Sequence, residues 1–150
     1  MTGWRIGYMI GPESIVSAMK EIHAQLTICP NSIAQRAAYE ALGAYDTTVN
    51  EIQKIYEERR NMFVKGLNEL GFRCEPPAGS FYVYCNISGL GMTGLELAKR
   101  IAKEARVLCY PGISYTEDNS GDPYIRFAYT VRKERLQIAL DRLKEFVRNL

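Results

Sequence analysis

An arginine near the start of the sequence lies where it could bind an anion. Arg5 falls in the segment Trp4 to Ile10, whose residues alternate in size as they do in a strand. It shares one face of this predicted strand with Gly7, which leaves open space beside the guanidinium. A planar group with five donors next to such space suits bidentate binding of a phosphate. An arginine at a solvated strand edge would give the same pattern, so the residues alone leave both interpretations open.

A second arginine, Arg126, lies in the middle of a predicted strand from Tyr124 to Thr130. The large apolar residues of this strand alternate with it, so Arg126 points to the other face, beside small residues. A single arginine in that position suits a cleft that binds a carboxylate, with the guanidinium free of buried acidic partners. An ordinary amphipathic strand with one outward arginine is the alternative.

The remaining patterns that could carry chemistry are weak. Residues 89–94 match G-x-G-x-x-G, but no acidic residue ends the next strand, and Thr93 to Glu96 form a capping box that favours a simple turn. The four cysteines contain no C-x-x-C pair, and His23 is the only histidine, so no metal site is predicted. We expect the cysteines to be reduced thiols of the core.

The composition is that of an ordinary globular protein. Hydrophobic residues make up 47% of the 150 residues and charged residues 24%. The 19 basic residues are interleaved with 17 acidic ones, so no basic patch indicates a nucleic-acid partner. No apolar stretch approaches the ~20 residues that cross a bilayer, so no membrane partner is expected. We expect a cytoplasmic protein.

The elements predicted from periodicity place the fold in the α/β class, as α+β in its C-terminal part. The predicted sheet is small, mainly antiparallel and covered by helices. A strand over 4–10 has no partner nearby, so the sheet that it would join lies outside the sequence. The predicted helices are 13–26, 33–43, 46–70, 93–105 and 132–149, and the other predicted strands are 80–87, 106–110 and 124–130.

Several segments together resemble the C-terminal portion of the fold-type-I pyridoxal-phosphate-dependent aminotransferases (aspartate-aminotransferase-like, class I and II). The resemblance covers essentially the whole sequence, with the motifs in the family's order. It is carried by Met1-Thr2-Gly3-Trp4-Arg5-Ile6-Gly7-Tyr8, by Pro77-Ala78-Gly79-Ser80-Phe81-Tyr82, by Pro111-Gly112 and by Tyr124-Ile125-Arg126-Phe127-Ala128-Tyr129.

The resemblance implies a role for four residues. Arg5 would bind the phosphate of pyridoxal 5'-phosphate, Arg126 would hold the substrate α-carboxylate, and Phe81 and Tyr82 would line the substrate pocket. The substrates of the parent enzyme would be an amino acid and a 2-oxo acid. The Schiff-base lysine of the family is absent from the sequence, so we expect no catalytic residue and no transaminase activity in this chain alone.

The resemblance also implies a domain organisation. Residues 1–45 would be a remnant of the large cofactor-binding domain, 46–71 a long connecting helix, and 72–150 the small C-terminal domain. We expect a homo-oligomer, because the helices of residues 1–45 lack the sheet that they would cover. Two alternatives remain open: the same portion of a fold-type-I lyase, and a non-catalytic binding or assembly domain from a split gene.

Overall fold

The computed structural model describes all 150 residues, which form two compact units, Met1–Glu51 and Ile52–Leu150. Helix α3, Tyr45–Glu69, contains the boundary between them. None of the helices combines the length and the apolar character that crossing a membrane requires.

The first unit is helical. A short 3₁₀ turn, Thr2–Trp4, is followed by α1, Glu13–Thr27, and α2, Ser32–Gly43. Asn31 caps α2, since its side chain accepts a hydrogen bond from the Ala34 backbone N–H at 3.1 Å. The apolar faces of α1 and α2 are exposed, as expected for helices that lack the sheet that they would cover. A helix face is buried only where another element packs on it, and the exposed apolar side chains of α1 and α2 include Ile15, Met19, Ile22, Leu26, Ile33 and Leu42.

The strand predicted over residues 4–10 is not formed. Trp4 ends the 3₁₀ turn, and residues 5–12 have no regular secondary structure. Arg5 has a φ of 53°, in the left-handed region, which interrupts an extended backbone. Alternation in size favours a strand, but a strand also needs a neighbour for its N–H and C=O groups. No other segment pairs with these residues, so their backbone groups have no neighbouring strand with which to form hydrogen bonds.

The second unit contains a four-stranded, wholly antiparallel sheet in the order β1-β2-β4-β3. This confirms the small antiparallel sheet and the α/β class predicted from the sequence. The strands are β1, Arg73–Cys74; β2, Tyr82–Asn86; β3, Tyr110–Pro111; and β4, Tyr124–Ala128.

Three helices complete the second unit. They are the C-terminal part of α3, then α4, Gly94–Arg100, which continues as a π-helical turn over Ile101–Ala105, and α5, Lys133–Arg148. Gly71 follows α3 with a φ of 89°, and the Phe72 N–H donates to the Leu67 carbonyl at 3.1 Å, which ends the helix. Thr93 also caps α4, because its Oγ1 accepts a hydrogen bond from the Glu96 N–H.

One face of the sheet is covered and forms the core. Alternate residues of β2 and β4 point inward, and helices α3, α4 and α5 supply the opposing side chains. The core includes Phe63, Leu67, Val83, Leu97, Ile125, Phe127, Leu136 and Leu143. The other face of the sheet carries polar and aromatic side chains, because alternate residues of each strand point to opposite faces.

Two details of the second unit differ from the sequence prediction. The strand expected over 106–110 pairs only at Tyr110–Pro111, and Arg106 has a φ of 55°, which turns the chain. Cys74 and Cys85 form a disulfide rather than reduced thiols, since β1 and β2 place them directly opposite each other with their Cα atoms 4.5 Å apart. Cys29 and Cys109 are free, and burial raises the pKa of Cys109 to about 12.

Candidate functional site

The outer face of the sheet in the second unit is rich in tyrosine and has one arginine at its centre. We call this set the tyrosine face; it consists of Arg126 with Tyr82, Tyr84, Tyr110, Tyr115 and Tyr124. In the sheet register Arg126 lies opposite Tyr84 on one side and Tyr110 on the other. Because side chains alternate along a strand, the arginine and the neighbouring tyrosines reach the same surface.

Aromatic rings surround the guanidinium of Arg126. Its Cζ atom lies 3.9 Å from the centroid of the Tyr82 ring and 4.2 Å from that of Tyr115. The Tyr110 ring is farther away, at 5.5 Å. Each distance is within the range in which a cation is attracted to a ring face. The Arg126 side chain is half-buried and forms neither an ion pair nor a hydrogen bond within the chain. The prediction that its guanidinium is free of acidic partners is therefore confirmed.

A tightly packed turn brings Tyr115 to this face. Tyr115 ends a 3₁₀ turn over Gly112–Tyr115, and Gly112 packs directly against the backbone of Gly121. A Cβ atom on Gly112 would lie 2.9 Å from the Tyr124 Cβ, closer than real Cβ atoms approach. Glycine is therefore required here for close approach of two loops rather than for an unusual φ angle. The Tyr84 hydroxyl donates to the Gly112 carbonyl at 3.3 Å, which ties the same turn to β2.

The surroundings of Tyr84 on the tyrosine face keep its hydroxyl neutral. Burial raises the pKa of Tyr84, and the neighbouring Tyr115 adds to that rise, whereas the Arg126 charge opposes it. A phenol with a pKa above its ordinary value stays protonated near neutral pH. No carboxylate pairs with Arg126, so its positive charge is available and the face can accept an anion.

The two residues predicted to line a pocket, Phe81 and Tyr82, have their rings in contact, with the centroids 4.5 Å apart. Tyr82 lies over Arg126, whereas Phe81 packs against the core, with its ring centroid 6.2 Å from that of Tyr56. The structure brings Tyr82 and Arg126 together, and Phe81 contacts the Tyr82 ring.

Phe81 lines a different cleft, of about 480 Å³, on the side of the sheet next to α3. Arg60 and Ser80 contribute to its wall, and Ser80 has a φ of 76°, unusual for a residue with a side chain. The Ser80 carbonyl accepts a hydrogen bond from the Tyr129 hydroxyl at 2.9 Å, which holds this backbone in place. Burial raises the pKa of Tyr129, although the nearby Arg60 charge opposes the shift.

Arg5 lies in the first unit and is exposed. Its Nη1 donates to the Thr2 carbonyl at 3.4 Å, and no carboxylate pairs with it. A Cβ atom on Gly3 or Gly7 would meet nothing within 4 Å, so the backbone around Arg5 is open. The residue is free to receive an anion, although not through the strand geometry that was predicted.

Sequence reasoning missed the contribution of Tyr115 and Tyr110 to the tyrosine face. Tyr115 lies in a turn, where periodicity gives no direction for a side chain. Tyr110 lies on a strand of only two residues. The pair Tyr82 and Tyr84 was visible as an alternation of tyrosines in β2, and it is the signal that could have indicated an aromatic surface opposite Arg126.

Comparison with known proteins places these features in a family. A family model described as aminotransferase class I and II matches residues 1–143. The aspartate aminotransferase of Pyrococcus horikoshii is 35% identical over 148 residues, which cover 97% of this chain and 37% of that protein.

Solved structures give the same result. The aromatic aminotransferase from Pyrococcus horikoshii superposes with a TM-score of 0.86 at 32% identity, covering 99% of this chain and 40% of that one. The aspartate aminotransferase from Thermus thermophilus with maleate superposes with a TM-score of 0.82 at 34% identity, covering 97% and 37%. The chain therefore spans less than half the length of these relatives.

Proposed function

The chain belongs to the aminotransferase class I and II family, and on that premise we propose that it supplies the carboxylate-binding side of an enzyme that transfers an amino group between an amino acid and a 2-oxo acid. The observation that carries the proposal is the guanidinium of Arg126. It lies on the tyrosine face, half-buried, with no acidic partner and no hydrogen bond to the chain.

Arg126 would bind the carboxylate that amino acids and 2-oxo acids share. Two parallel N–H donors of a guanidinium match the two oxygens of a carboxylate, and such charge-assisted pairs are about twice as strong as neutral ones. Binding at this end orients the α-carbon of the substrate, which lowers the entropic cost of the later steps. Tyr82 would border the bound acid, because its ring lies against the same guanidinium. The maleate in the Thermus thermophilus structure is itself a carboxylate, which supports this ligand class.

The cofactor implied by the family is pyridoxal 5'-phosphate, and one residue of this chain fits it. Arg5 is exposed, carries an unpaired charge and has open space beside it at Gly3 and Gly7, as a phosphate contact requires. When bound, the cofactor supplies the electron sink for transamination. Arg5 would bind the phosphate of the cofactor and offset its negative charge. Arg5 and Arg126 would thus bind different groups, the cofactor phosphate and the substrate carboxylate.

The organisation of the enzyme is part of the same proposal. Residues 1–45 would belong to the large cofactor-binding domain, 46–71 would form the connecting helix, and 72–150 the small C-terminal domain. The exposed apolar side chains of α1 and α2 support an assembly that covers them, either a homo-oligomer or the remainder of the fold. We also propose that the enzyme is cytoplasmic.

The proposal is tested by a chimera with a full-length relative. The last 37% or so of the Pyrococcus horikoshii aspartate aminotransferase, the share that this chain covers, would be replaced by the present sequence. We expect the chimera to catalyse amino transfer, measured as 2-oxo acid formed from an amino acid donor. The variant Arg126→Lys should lower kcat/KM about 10- to 100-fold, because a hydrogen bond to a charged group contributes roughly 1.5–3 kcal/mol.

Arg148→Lys is the matched control. Arg148 is exposed at the end of α5, so the same chemical change there should leave kcat/KM unchanged. Equal activity of Arg126→Lys and the parent chimera would contradict the role of Arg126. A folded chimera that eliminates ammonia without amino transfer would favour the lyase alternative, and a folded chimera without either activity would favour a binding or assembly domain.

A further inference from the structure

The rings of two tyrosines lie close to the Arg126 guanidinium. The Tyr82 and Tyr115 ring centroids lie 3.9 Å and 4.2 Å from Cζ. Aromatic rings are too wide for two of them to stack at this distance on one face of a single guanidinium. We infer that Tyr82 and Tyr115 are positioning residues, which hold the guanidinium of Arg126 in one plane and leave its N–H edge as the route to a carboxylate. The inference deepens the proposed function and rests on it for the identity of the ligand.

A tyrosine ring can hold Arg126 in place without occupying its N–H donors, whereas an acidic residue cannot. A carboxylate that held Arg126 in place would occupy N–H groups and neutralise the charge before a ligand arrived. A ring face attracts the cation through its quadrupole and uses none of the N–H donors. The Arg126 guanidinium makes no hydrogen bond within the chain, so its donors remain available. The two rings therefore orient the arginine without competing with the substrate.

Each ring is itself held in place. Tyr82 lies on β2, paired with β4, and its ring centroid is 4.5 Å from that of Phe81. Tyr115 is fixed by the turn that begins at Gly112, which packs against Gly121. A long side chain loses rotational freedom when it binds a ligand. Rings that restrict Arg126 beforehand remove part of that cost, which is how preorganisation raises affinity.

The test measures the motion of the Arg126 guanidinium directly in the full 150-residue chain. NMR on protein labelled with ¹³C and ¹⁵N in arginine reports the rate at which its Nη groups exchange by rotation, with the exposed Arg148 as an internal standard. We expect Arg126 to rotate about tenfold more slowly than Arg148, as two stacked rings imply. Tyr115→Leu fills a similar space without a ring and should raise the rate to near that of Arg148, whereas Tyr115→Phe should keep the slow rate.

Tyr110→Ala is the matched control, because the Tyr110 ring is at 5.5 Å and lies on an edge strand. It should change the rate much less than Tyr82→Leu or Tyr115→Leu. Binding of pyruvate, followed through the Arg126 Nε–H signal, should weaken about fivefold in Tyr115→Leu and recover in Tyr115→Phe.

The outcomes separate the two proposals. If Arg126 rotates as fast as Arg148 in the parent chain, or if Tyr115→Leu behaves as Tyr115→Phe, the positioning role is refuted. If pyruvate shifts no Arg126 signal while the rotation results are as expected, the positioning role stands and the carboxylate-binding function fails. Pyruvate binding that depends on Arg126 but is equal in every tyrosine variant would sustain the function and overturn the inference.

Discussion

The contact between Gly112 and Gly121 offers a sharp test of how the tyrosine face is built. Replacing Gly112 by alanine would place a Cβ atom 2.9 Å from the Tyr124 Cβ and 3.0 Å from the Tyr124 carbonyl oxygen. It would lie closer still to the Gly121 carbonyl oxygen. These neighbours are a Cβ atom and backbone atoms, so no side-chain rotation relieves the overlap. The two loops must separate, and the turn that carries Tyr115 must move with them.

The expected cost follows from comparable overpacking. Forcing an extra methyl group into a packed site costs about 1–3 kcal/mol. Alanine also restricts the unfolded chain, which offsets roughly 0.5 kcal/mol of that cost. A net loss of about 1.5 kcal/mol corresponds to a fall in Tm of about 3–6 °C for a protein of this size. The displaced Tyr115 should also release Arg126, so its guanidinium should rotate faster in the same variant.

Gly89→Ala provides the matched control. Gly89 lies in the 3₁₀ turn Ser88–Leu90 of the same unit, and a Cβ atom there would meet only the end of the Arg73 side chain, at 3.9 Å. Its Tm should stay the same or rise slightly, because the substitution acts mainly on the unfolded chain. Thermal unfolding followed by circular dichroism compares the two. A Gly112→Ala protein as stable as Gly89→Ala, with an unchanged Arg126 signal, would refute the reasoning.

Three further predictions concern the thiols and the assembly. Reducing the Cys74–Cys85 bond, which closes a loop of 11 residues, should lower the unfolding free energy by about 3 kcal/mol, and an unchanged denaturation midpoint would contradict this. Burial raises the pKa of Cys109 to about 12, so its thiolate is scarce below that pH. Iodoacetamide at pH 8 should therefore label the exposed Cys29 first in a mass-spectrometric time course, and equal rates would count against the burial of Cys109. Light scattering at micromolar concentration should give a mass above 17.0 kDa, because residues 1–45 expose apolar side chains that association would cover; a monodisperse monomer would contradict that expectation.

Local periodicity was enough to predict most of the elements. The 3.6-residue spacing of apolar residues indicated α1, α3 and α5, and the two-residue alternation indicated β2 and β4. The resemblance of short motifs, in order along the chain, indicated the family. Periodicity and short motifs depend only on residues close together in the sequence, so they can be recognised without knowing where distant segments lie.

Local patterns could not predict which strands pair or which side chains surround Arg126. The alternation at residues 4–10 was as regular as that of β4, yet only β4 has neighbours to pair with. Cys74 and Cys85 are joined because two strands meet in one register, and Tyr115 reaches Arg126 because two glycines allow two loops to touch. A sequence specifies which face a side chain takes along its own strand. What lies against that face depends on contacts between residues far apart in the chain, whose energies no local pattern contains.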